Sequence, residues 1–164
     1  MAFQKTVSKT QALGSAGQIS KAFHNYCNTF SAVATDDKVS VGCFVQAGTN
    51  DGEVKGASGQ AVTGKILGVV VKDKYISSCG TEAVNTYKVG DNVTILNAGN
   101  IFIEAKAAAK VGQYVHLVKA TGALSFDDAI DNGGTKAYTG FRVSVGNSAP
   151  YATNGIIEIT TANA

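Results

Sequence analysis

In Lys38-Val39-Ser40-Val41-Gly42-Cys43-Phe44-Val45-Gln46, Val39, Val41, Cys43 and Val45 alternate with Ser40, Gly42, Phe44 and Gln46. Side chains of an extended chain point to opposite faces with a period of two, so this spacing predicts a half-buried strand. The same reading predicts strands over Lys65–Lys72, Asn92–Leu96, Asn100–Ala105, Gln113–Lys119, Gly140–Val145 and Gly155–Thr161, separated by turn-rich segments. Nineteen glycines against one proline, with frequent Val, Thr and Ile, fit many short strands joined by glycine turns. The succession predicts an all-β sandwich or barrel. Asn97-Ala98-Gly99-Asn100, between Leu96 and Ile101, is expected to be a hairpin turn with Gly99 at positive φ.

A short echo runs through these strands. Lys88-Val89-Gly90-Asp91-Asn92-Val93 and Lys110-Val111-Gly112-Gln113-Tyr114-Val115 share K-V-G-x-x-V, and Val41-Gly42-Cys43-Phe44-Val45 repeats its core. The expectation is a recurring strand entry, in which glycine permits the bend and the following valine enters the sheet.

Upstream the pattern differs. Residues 1–35 are small and polar, with single apolar side chains at Phe3, Val7, Leu13, Ile19, Phe23, Tyr26 and Phe30. This is expected to be an extended N-terminal arm, 1–35, ahead of a β body, 36–164. Phe23, Tyr26 and Phe30 are spaced to share one side of a helix, so a short helical segment is expected within Ser20–Phe30. Gly14 and Gly17 argue against a long one.

Charge narrows the function. Of 164 residues 16% are charged, below the roughly 25% of ordinary soluble domains. The net charge is +2, and thirteen lysines and the single arginine, Arg142, are scattered without a basic stripe, which argues against a nucleic-acid partner. The run Ile66–Val71 is far shorter than the roughly 20 apolar residues of a spanning helix, and residues 1–7 do not resemble a signal peptide. No membrane association is expected, and synthesis in a cytoplasm is. Cys27, Cys43 and Cys79 are an odd number at long spacings, fitting neither a disulfide framework nor a zinc ribbon.

The motifs that carry chemistry fail on detail. Gly59-Gln60-Ala61-Val62-Thr63-Gly64-Lys65-Ile66 has the G-x-x-x-x-G-K of a phosphate-binding loop, but Ile66 stands where a magnesium-binding hydroxyl is needed, and a strand follows instead of a helix. His24 and His116 are the only histidines; a Cys–His hydrolase would need one of them beside a cysteine, and no local catalytic signature surrounds either type. Asp127, Asp128 and Asp131 lack the alternate oxygen ligands of a calcium loop, because Ala129 and Ile130 interrupt them. No catalytic residue, cofactor or metal is assigned.

The order of these segments resembles the cement, or minor-coat, proteins of tailed bacteriophage heads. The resemblance lies in the small-residue arm, Val39-Ser40-Val41-Gly42-Cys43-Phe44-Val45, Gly64-Lys65-Ile66-Leu67-Gly68-Val69-Val70-Val71 and Tyr87-Lys88-Val89-Gly90-Asp91-Asn92-Val93-Thr94-Ile95. It ends with Gly140-Phe141-Arg142-Val143 and Gly155-Ile156-Ile157-Glu158-Ile159. It implies an all-β barrel or jelly-roll-like body that binds the major capsid protein on the capsid exterior of the virion, self-associates and has no enzymatic role. Exposed strand edges and a low-charge surface favour symmetric pairing, so a dimer or trimer is expected. The arm residues Phe3, Val7, Leu13, Ile19, Phe23, Tyr26 and Phe30 are the candidate contacts to coat protein or to a neighbouring copy, with packing inside the chain as the alternative for each, and an equal one for Phe23, Tyr26 and Phe30. The alternatives are another virion subunit, of tail tube, fibre or head completion, and a small Cys/His hydrolase.

Overall fold

Where β-branched and aromatic residues recur, the chain extends into strands, ten of them among the described residues. The computed structural model describes residues 14–20, 27–72, 85–130, 134–146 and 155–161. Strands β1 (Asn28–Ala34), β2 (Phe44–Ala47), β3 (Glu53–Gly56), β4 (Ile66–Val70) and β5 (Asn92–Ala98) close into a barrel in the order β1-β3-β2-β4-β5. The β1–β3 pair is parallel, and β1 closes the barrel antiparallel to β5, with Phe30 opposite Ile95 and Ala32 opposite Val93. Strands β6 (Asn100–Glu104), β7 (Tyr114–Val118), β8 (Leu124–Asp127), β9 (Lys136–Val145) and β10 (Ile156–Thr161) form a second sheet, ordered β6-β10-β9-β7-β8.

Two cores follow from the alternation. Ala32, Ala34, Val39, Val41, Val45, Val54, Val70, Val93 and Ile95 fill the barrel, small and β-branched side chains that suit a narrow lumen. The opposite faces of β2, β4 and β5 present Phe44, Val69 and Leu96 to the second sheet, which answers with Ile101, Ile103, Val115, Leu117, Phe141, Val143, Ile157 and Ile159. These three barrel strands are therefore buried on both faces, which is why Val69-Val70-Val71 reads as an uninterrupted apolar run. Phe44 and Phe141, both about 1% exposed, meet edge to face at 5.8 Å across the junction.

The all-β architecture is the one expected, with barrel and open sheet packed together. Several local expectations are corrected. The turn at 97–100 is not a hairpin: β5 pairs with β1 and β4 while β6 pairs with β10, so Gly99, at φ +131°, is where the chain leaves the barrel for the second sheet. Leu96 and Ile101 both belong to the core between the layers, which a sheet switch satisfies as well as a hairpin does. The strand expected from Lys38 begins only at Phe44, because Ser40–Cys43 forms a turn. Residues 28–34, expected within the arm, are β1; their alternation is concealed by small residues, since Phe30, Ala32 and Ala34 face the lumen. No helix occurs among the described residues, and 21–26, where most of the helical segment was expected, lie outside them.

The strand-entry echo has a definite structure. Lys88–Asp91 and Lys110–Gln113 are both reverse turns in which the fourth amide donates to the first carbonyl, at 3.0 and 3.2 Å, with the third-position glycine at φ +94° and +90°. That glycine φ is the one a type II turn requires. The fourth side chain then reaches back to accept the first residue's amide, Asp91 from Lys88 at 2.8 Å and Gln113 from Lys110 at 2.9 Å. Ser15–Gln18 and Asn50–Glu53 repeat both bonds, and Ser40–Cys43 repeats the backbone bond.

Candidate interaction surface

The segment 14–20 is packed onto the body. The amide of Gly17 donates to Phe102 O at 2.8 Å, Phe102 N to Gln18 O at 3.0 Å and Ser20 N to Asn100 O at 3.1 Å, so the segment lines the outer edge of β6. On its other side Lys72 N donates to Gly17 O at 2.7 Å, which ties the same residues to the barrel. A Cβ on Gly14 would stand 2.5 Å from the Phe102 ring, so glycine is required for this approach. Of the seven arm candidates, Ile19 and Phe30 are described. Ile19 bridges Ile101 and packs against the inter-layer core; Phe30 packs at the edge of the barrel core. Phe3, Val7, Leu13, Phe23 and Tyr26 lie outside the described residues.

A cleft of about 580 Å³ opens between barrel and sheet, lined by Ala16, Val41 to Cys43, Ser58, Glu104, Lys106 and the turn Thr121–Leu124. Burial pushes the Cys43 thiol above its ordinary range, against a smaller opposing hydrogen bond from Ser58. A thiol held protonated is a poor nucleophile. The charged groups that act on it are Glu104 and Lys106; no described histidine joins them, and His24, Cys79 and Asp131 lie outside the described residues.

The outer face of the second sheet is polar and aromatic because Val115, Leu117, Phe141, Val143, Ile157 and Ile159 take the inner positions. Arg142, opposite Tyr114, lays its guanidinium 4.3 Å from the Tyr114 ring centre and hydrogen-bonds the Tyr114 hydroxyl. Tyr138 packs edge to face on Tyr114 at 5.6 Å and against the His116 ring at 5.5 Å. His116 is fully buried, with Nδ1 3.4 Å from Asp127 Oδ2. The Lys136 ammonium donates to both Asp127 oxygens, at 2.9 and 2.8 Å. On the β10 side, buried Glu158 accepts from Asn100 at 3.1 Å and from Ser144 at 2.9 Å. Most of these polar groups engage one another, while Arg142 Nε is buried without a hydrogen-bond partner among the described residues. Asp127 and Asp128 are engaged by Lys136 and Gln113 respectively, and no cluster of metal-binding side chains occurs among the described residues.

The loop with the phosphate-binding spacing is filled from within. The amides of Thr63 and Gly64 donate to Gln46 Oε1, each at 2.8 Å, while Gln46 Nε2 donates to Gly56 O at 2.9 Å and Ala61 O at 3.1 Å. The amides that would cradle a phosphate are thus turned onto a buried side chain.

Set beside known families, this two-layer β body with its bonded N-terminal segment falls in a class of structural proteins of the phage head. The family model for structural cement protein (E217 gp24/Pam3 gp6) matches residues 3–162, and the chain belongs to that family. Its role is that of a capsid cement or decoration protein. Among solved structures, a chain described as the capsid of Myoviridae phage XM1 superposes with a TM-score of 0.59 at 16% identity, covering 98% of this chain and 97% of that one. At that identity the likeness is one of fold. No curated protein matches.

Proposed function

We propose that this chain binds the outer surface of an assembled head shell, through the major capsid protein, and stabilises it without any catalytic role. The family match over residues 3–162 carries this reading. The proposal extends to a dimer or trimer on the capsid exterior, made in the bacterial cytoplasm, with neither nucleic acid nor membrane as partner. Within it, the arm side chains Phe3, Val7, Leu13, Phe23 and Tyr26 reach coat protein or a neighbouring copy, while Ile19 and Phe30 anchor the arm to the body. Supporting this division, residues 14–20 bond to both layers, so a force on the arm is delivered to the body.

Linkage supplies the mechanism. A subunit that binds the assembled lattice and not free coat protein stabilises the lattice by about 2.7 kcal/mol per site at a free concentration of about one hundred times Kd. Over many equivalent sites, modest affinity is enough. The test compares heads assembled with and without the chain. Equal particle yield with a lower rupture temperature in its absence is expected; equal rupture temperatures would overturn the stabilising role, and labelled antibodies on tails instead of heads would overturn the location.

A further inference from the structure

Among the described residues the large apolar side chains left exposed are Val33, Val89, Val111 and Ile130, at 38, 66, 71 and 41%. They fall into two pairs, one on each layer. Val89 is the second residue of the Lys88–Asp91 turn, which is bonded to β1 beside Val33: Gly90 N donates to Ala34 O at 2.8 Å and Ala34 N to Asp91 O at 2.9 Å. Val111 is the second residue of the Lys110–Gln113 turn, whose Gln113 side chain donates to Asp128, two residues before Ile130, at 3.1 Å.

The repeated turn provides an internal control. In the same turn the second residue is Ala16 in Ser15–Gln18, Asp51 in Asn50–Glu53 and Val41 in Ser40–Cys43. Val41 is buried and contributes to the barrel core, so its identity is explained by packing. Asp51 is exposed and shows that the turn, with its side-chain cap, forms around a polar residue there. Nothing in the turn therefore demands valine at 89 or 111, where the side chain is about two-thirds exposed and gains little burial among the described residues. A β-branched residue at the tip of a capped turn has little rotamer freedom to lose on binding.

We infer that the Lys88–Asp91 and Lys110–Gln113 turns are two preformed contact tips, each inserting its valine into a shallow apolar socket on coat protein. This rests on the proposed attachment to the shell and names where the body itself would touch it. Exposed Lys110, immediately before Val111, suits a socket rimmed by carboxylates. If both tips reach one shell together, the affinity of either alone is multiplied.

The test is co-sedimentation with empty heads lacking the chain, using Val89→Asp, Val111→Asp and the uncharged pair Val89→Ser and Val111→Ser. Asp51 predicts that all four keep the wild-type circular dichroism spectrum and unfolding temperature. Each single variant is expected to bind about tenfold more weakly, and a double Ser variant more weakly than either. The Ser variants keep the test valid if an Asp variant fails to fold. If the wild type binds heads and the folded variants bind equally well, the tips are not contacts and the inference falls, while attachment stands. Failure of the wild type to bind would instead overturn the attachment itself. Loss of self-association with head binding intact would assign the tips to a second copy and overturn the coat socket.

Discussion

Gln46 Oε1 accepts the amide of Gly64 at 2.8 Å, and through that bond β2 holds the loop that leads into β4. The same oxygen takes Thr63 N, and Nε2 serves the carbonyls of Gly56 and Ala61, so one side chain, 3% exposed, satisfies four backbone groups. Leucine has similar size and none of this capacity. Gln46→Leu should destabilise the protein by about 1–3 kcal/mol, because partly buried backbone groups of Ala61, Thr63 and Gly64 lose their partner while the volume stays filled; Gly56 O keeps the side-chain amide of Gln60. Urea unfolding measures it. Neither wild type nor variant should retain a nucleoside triphosphate in equilibrium dialysis.

Glycine substitutions should separate backbone strain from collision. Gly52 and Gly122 both have positive φ, +80° and +65°. A Cβ on Gly52 meets nothing within 4 Å, whereas one on Gly122 would lie 2.5 Å from Gln60 O and closer still to Ala57 O. Gly52→Ala is expected to cost about 1–2 kcal/mol, the left-handed penalty alone. Gly122→Ala should cost several kcal/mol more, since backbone cannot yield as a side-chain end can. Thermal unfolding midpoints of the two variants, compared with wild type, decide this; equal losses would mean that the 119–123 turn moves away without cost.

The strands that were legible in the sequence are those with β-branched density: Ile66–Val70, Asn92–Ala98, Asn100–Glu104, Tyr114–Val118 and Ile156–Thr161 lie where alternation or an apolar run predicts them. The missed ones had little of it. In β1 the lumen residues are Phe30, Ala32 and Ala34, and alanine gives no apolar signal beside serine; β3 is only Glu53–Gly56 and is held by neighbours on both sides. The sheet switch at Gly99 depends on which layer each strand joins, a choice made by the whole core. On the candidate surface, Lys-Val-Gly recurrence was visible in sequence, but the exposure that gives it meaning was not. The pairing of Arg142 with Tyr114, 28 residues apart, needs the β7–β9 register.

The two layers should unfold as one unit, because Phe44 on β2 and Phe141 on β9 share a core contributed by both. Phe44→Ala and Phe141→Ala are each expected to cost about 3–5 kcal/mol. The double variant should lose less than the sum by about 0.5–1.5 kcal/mol, the worth of an edge-to-face pair beyond its area. Near- and far-ultraviolet circular dichroism in a denaturant series supply both quantities. Two separated transitions in the wild type would show that the barrel stands alone.

Acid should weaken the outer face of the second sheet before the cores. The Lys136 ammonium, hydrogen-bonded to Asp127, holds that carboxyl below its ordinary range; burial opposes this, and the Ser125 hydroxyl at 3.0 Å assists it. A carboxyl whose folded pKa lies below its unfolded one releases its proton more readily when folded. Its contribution is therefore complete above the unfolded value, about 3.9, and disappears as pH falls through the lower folded value. The pair is partly exposed, which limits the gain to about 1 kcal/mol or less. His116 Nδ1 lies 3.4 Å from the same carboxylate, so Lys136→Met is a cleaner probe than a change at Asp127. The stability difference between wild type and Lys136→Met should be constant from about pH 7 to pH 5 and shrink steadily below about pH 4. Chemical denaturation across that range measures it; a difference that grows on acidification would mean that the Asp127 carboxylate is stabilised by something other than Lys136.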